Sequence, residues 1–91
     1  MARMNEAMDE IFRGVDGLLE KMIEQQRDQV MKVAQRFMPR VTTDDVLQPH
    51  DFPVLERAPM FQFEDGTLSG LLKAQMALRA YFKDRSEPRS A

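Results

Sequence analysis

The chain has 91 residues, no cysteine and a formal net charge of −2 from 13 basic and 15 acidic side chains. That length makes one domain near the lower limit for a single unstapled core, and the missing cysteine excludes a disulfide scaffold or thiolate zinc site and fits a reducing compartment. Charged residues from Glu6 to Asp16 argue against a secretory signal, and no run approaches the roughly 20 apolar residues that span a bilayer. The expectation is a soluble, cytoplasmic, all-α protein.

Charge alternates along the chain. Residues 1–24 carry 3 basic and 6 acidic groups, and residues 25–40 carry 4 and 1. Residues 41–65 carry 1 and 6, and residues 66–91 carry 5 and 2.

The first element is a long helix over residues 3–38. It contains no proline, strong helix formers dominate it, and Pro39 ends it. Its apolar positions repeat every 11 residues, in the columns Met4–Val15–Gln26–Phe37, Met8–Leu19–Val30, Ile11–Met22–Val33 and Phe12–Ile23–Ala34. Only Gln26 breaks them. Eleven residues over three turns give about 3.67 per turn, so the stripe runs nearly straight, and a heptad zipper is not expected. Gly14 and Gly17 each cost roughly 1 kcal/mol relative to alanine. Periodicity across both predicts a continuous helix rather than a bend, with the two small residues admitting the close approach of another helix.

Residues 39–65 read as an irregular cap with short helical turns. Thr42 and Thr43 precede Asp44, Asp45, Val46 and Leu47 as capping residues do, Pro49 stops that turn, and Pro53 starts another that Pro59 stops. Leu47, Phe52, Leu55, Phe61 and Phe63 are expected to cover the helix ends. A second helix is expected over 66–84, capped by Asp65 or Thr67, with Leu68, Leu71, Leu72, Leu78 and Phe82 on its apolar face. Residues 85–91 read as a tail.

Antiparallel packing of the two helices matches opposite charge blocks at both ends, with the basic end of the second near Glu20 and Glu24. Some 36 residues of the first helix span about 54 Å, and 18 residues of the second about 27 Å. That mismatch leaves Met4, Met8, Ile11, Phe12, Val15 and Leu19 as the candidate interaction surface. The simplest arrangement covering it is an antiparallel homodimer forming a helical bundle. Met4, Met8, Met22 and Met76 suit a core or a dimer seam.

No catalytic, cofactor-binding or metal-ligating residues are assigned. His50, the only histidine, lacks a Glu-x-x-His or His-x-x-x-His partner and reads as a loop residue. Gly66-Thr67-Leu68-Ser69-Gly70 lacks the Gly-Lys-Ser/Thr ending of a phosphate loop and follows Glu64 and Asp65, which repel anions. The basic groups Arg27, Lys32, Arg36 and Arg40, and Arg79, Lys83, Arg85 and Arg89, lack a run of aromatic stacking partners, so nucleic acid is not expected. The function expected is a noncatalytic protein–protein interaction module: an adaptor, a small chaperone or a subunit of a larger complex. Its partner is a second copy or another protein. The alternatives are a peripheral membrane protein using an amphipathic helix, disfavoured by Glu6, Asp9, Glu10 and Glu20, and a small metal-binding or catalytic protein centred on His50.

Overall fold

A computed structural model describes residues 2–86, with side chains placed for residues 6–85. All elements among the described residues are helical. Helix α1 spans Ala2–Phe37, α2 Thr43–Leu47, α3 Pro53–Glu56 and α4 Pro59–Ser86, with a single 3-10 turn at Pro49–Asp51 before α3. Helices α1 and α4 form an antiparallel hairpin whose Cα envelope measures 54 × 24 × 19 Å.

Helix α1 runs unbroken through Gly14 and Gly17. A Cβ built at either glycine meets nothing within 4 Å, so neither is there to admit a neighbouring helix within this chain. The helix ends where Pro39 removes a donor, and the chain turns through backbone bonds from the Met38 amide to the Ala34 carbonyl and from the Val41 amide to the Met38 carbonyl.

The cap forms as its turn chemistry dictates. The Thr42 hydroxyl accepts from the Asp45 amide at 3.2 Å, and the Asp45 carboxylate accepts from the Thr42 amide at 3.0 Å. This reciprocal capping box starts α2. Pro53 starts α3, where its missing N–H leaves no bond unmade.

The second long helix differs most from expectation. It has 28 residues and begins at Pro59, not near residue 66. Pro59 both ends the preceding turn and opens α4, because a proline in the first helical turn has no intrahelical bond to lose. Thr67 is not a cap: its hydroxyl donates to the Phe63 carbonyl one turn back at 2.9 Å, as a helix-interior threonine does. At 1.5 Å per residue α4 spans about 42 Å rather than 27 Å. It therefore covers α1 nearly to its N-terminal turns.

The core lies at the capped end. Val30, Val33 and Ala34 of α1 pack with Val41, Val46, Leu55, Ala58 and Phe61, and Met31, Met38, Phe52 and Leu68 lean against them. Leu55 and Phe61 are buried as expected. Leu47 and Phe63, also expected in the core, are 70% and 72% exposed. Leu47 faces out from the short α2, and Phe63, two residues after the buried Phe61, falls on the side of α4 away from the core.

Candidate interaction face

The seam between α1 and α4 runs through Phe12, Leu19, Ile23 and Val30 on one helix and Phe61, Leu68, Gln75 and Phe82 on the other. At the far end from the cap, the rings of Phe12 and Phe82 lie 5.2 Å apart, tilted by 44°, an arrangement that aromatic quadrupoles favour. Arg79 reaches across to Asp16 at 2.8 Å and to Glu20 at 3.5 Å. Gln75, buried in the seam, donates to the Glu20 carboxylate at 2.7 Å. Gln26, the break in the apolar columns, donates to both the backbone carbonyl and the carboxylate of Glu64 at 2.9 Å. Both glutamines are seam residues with satisfied side chains, not defects in the pattern. The basic end of α4 does meet the acidic half of α1 at Glu20, and Asp16 joins it. The Arg79 hydrogen bond holds the Asp16 carboxyl below its ordinary value.

These contacts fix what each side of the hairpin carries. Successive residues turn about 100° around a helix. Taking the seam line on α1 as reference, Asp16 lies to one side, while Gln29, Ile11, Val15, Leu18 and Met22 lie to the other. On α4, Arg79 lies to one side of its seam line, and Glu64, Leu71 and Leu78 lie to the other. The Asp16–Arg79 bridge marks the first face of the hairpin. The bond from Gln29 to the Glu64 carboxylate, 3.2 Å long, marks the second. Ile11, Val15, Leu18 and Met22 therefore share that second face with Leu71, Ala74 and Leu78.

The second face is uncharged over this stretch. Ile11 is 56% exposed, Val15 39%, Leu18 60% and Met22 41%. Their spacing of four, three and four residues lines them up along one side of α1.

The six residues expected at the interaction surface divide between the two environments. Met8, Phe12 and Leu19 are half-buried against α4, because that helix is longer than its sequence suggested. Ile11 and Val15 lie on the exposed face. The Met4 side chain falls outside the described residues. Leu18 and Met22, not among those six, continue Ile11 and Val15 by a helical turn each; Met22 shares an 11-residue column with Ile11 but lies beyond Leu19, where the expected surface ends, and Leu18 stands in no column.

Two clefts flank the hairpin. One, about 270 Å³, opens between Met8, Asp9, Phe12 and the last turns of α4. The other, about 160 Å³, has a floor of Val30, Val46 and Leu68 with Arg27, Asp44 and Asp65 at its rim. Burial there pushes the Asp65 carboxyl above its ordinary value. His50 is exposed in the turn Pro49–Asp51. Among the described residues no group of three or more His, Cys, Asp or Glu side chains is placed to hold a metal ion, and no helix is long and apolar enough to cross a membrane.

Fold and site define a capped, antiparallel helical hairpin with one charged face and one that is uncharged from Ile11 to Met22. Comparison with protein families, with curated proteins and with solved structures finds no match, so the functional reading rests on the chain's own geometry.

Proposed function

We propose that the protein is a noncatalytic protein–protein interaction module that docks through the uncharged face of its hairpin. The observation that carries this is the stripe Ile11–Val15–Leu18–Met22, 39–60% exposed beside the half-buried Leu71 and Leu78. Water contact with such a stripe is unfavourable by roughly 25 cal/mol per Å². A helical partner removes that contact most economically, since its ridges fit the groove between α1 and α4. The cap packs over the far end of the hairpin, and both helices that carry the face are formed within the single chain, so little ordering accompanies docking.

Photo-crosslinking from position 18 tests the reading. A benzophenone side chain replacing Leu18 in living cells that make the protein is expected to give adducts of defined mass. The additional change Met22→Glu is expected to abolish them, while the same probe at Met76, on the charged side, gives none. Absence of any adduct from position 18 contradicts the proposal. The adduct mass separates a second copy from another protein, and lipid adducts alone favour a membrane surface instead.

A further inference from the structure

We infer that the occupant of the uncharged face is a second copy of this chain, laid antiparallel so that α1 stacks on α1 and α4 on α4 in a four-helix bundle. This rests on the reading of that face as a docking surface and names its partner. Three observations point to self-association.

The first is the spacing. A two-fold interface must be self-complementary, each residue meeting its symmetry mate's counterpart. The intervals along Ile11–Val15–Leu18–Met22 are four, three and four residues, so the stripe reads the same in both directions. A two-fold axis crossing between Val15 and Leu18 sets Val15 against Leu18 of the second copy, and Ile11 against its Met22.

The second is the register between the helices. The Asp16–Arg79 bridge and the Gln75–Glu20 bond place the midpoint of that stripe level with residues 78–79 of α4. Leu78 therefore lies at the height of the same axis. Across that axis Leu78 of one copy meets Leu78 of the other, while Phe82 stays in the seam against Phe12. One axis satisfies both helices.

The third is the distribution of charge and area. From Ile11 to Gln25, and from Thr67 to Phe82 alongside, the face presents no ionised group. About 21 Å of two adjacent helices, each roughly 10 Å wide, gives about 400 Å² in projection. That is about half of the roughly 800 Å² that each partner of a standard interface buries, the rest falling to the polar rim. Glu10 and Lys21 lie along the outer edge of α1, and antiparallel stacking brings Glu10 within about 3 Å of the height of Lys21 of the second copy. Parallel stacking sets like charges opposite each other.

Sedimentation equilibrium across the micromolar range tests this, with disulfide mapping of the register. Wild-type protein is expected at twice the chain mass. Leu18→Glu buries two carboxylates per dimer and is expected to weaken association by at least about a hundredfold while helicity is kept. Met76→Glu, on the other face, is expected to leave association unchanged. Because the chain has no cysteine, Val15→Cys and Leu18→Cys chains, when mixed, are expected to form the heterologous disulfide, and Ile11→Cys with Met22→Cys likewise. A folded monomer at high micromolar concentration overturns the inference, as does a dimer indifferent to Leu18→Glu or an Ile11→Cys chain that pairs with itself. A monomer that still gives adducts of another mass from position 18 sinks the self-association alone and leaves the interaction reading standing.

Discussion

Asp65 shows how burial sets the energetics of a single side chain here. It lies half-buried at the rim of the cleft between α1, α2 and α4, and desolvation raises its pKa from 3.8. A carboxyl whose folded pKa lies above its unfolded value favours folding only while protonated. That contribution is present below the unfolded value and is lost as pH rises through the folded one. At pH 7 the ionised Asp65 therefore opposes folding. Asp65→Asn is expected to raise the denaturation midpoint at pH 7, with the gain fading as pH falls through the raised folded pKa and gone below the unfolded value of 3.8. A midpoint lowered at neutral pH contradicts this. Asp16 has the opposite sign: its hydrogen bond to Arg79 favours the ionised form, and its contribution disappears in acid.

At the scale of the elements, the first helix was almost wholly legible. Absence of proline from Arg3 to Met38 and a stripe running across both glycines gave its extent, and the structure adds one residue at the start and removes one at the end. Gly17 is open space for a Cβ, so helix propensity alone governs substitution there. Gly17→Ala is expected to stabilise the fold by about 0.5–1 kcal/mol in chemical denaturation, and destabilisation by a similar amount contradicts the geometry. The second helix was legible in its apolar face and orientation but not in its start. Pro59 has one chemical character and two uses, ending a turn or opening a helix, and local sequence does not choose between them. The choice is made by Phe61, two residues on, which is 1% exposed in the core and gains that burial only if α4 has already begun.

At the scale of the molecule, those extra turns moved the candidate site. A short second helix leaves the N-terminal half of α1 bare, whereas the observed helix takes Met8, Phe12 and Leu19 into the seam and leaves Ile11, Val15, Leu18 and Met22 outside it. The apolar residues of α1 are spread over too wide an arc for one neighbour to cover, and the remainder defines the second surface. Sequence periodicity reveals that width. Which part of it meets α4 depends on long-range pairs such as Asp16–Arg79 and Gln29–Glu64, which no local pattern encodes.

The protection of methyl groups from a soluble paramagnetic chelate tests the proposed docking face most directly, because it reports contact with water residue by residue in the purified protein. At millimolar concentration the methyls of Ile11, Val15, Leu18 and Met22 are expected to be shielded nearly as well as the buried Val33 and Leu55. Leu47 and Met76, 70% and 71% exposed, relax fully. Relaxation of the four stripe methyls in proportion to their exposures of 56%, 39%, 60% and 41% in the single chain contradicts self-association through this face.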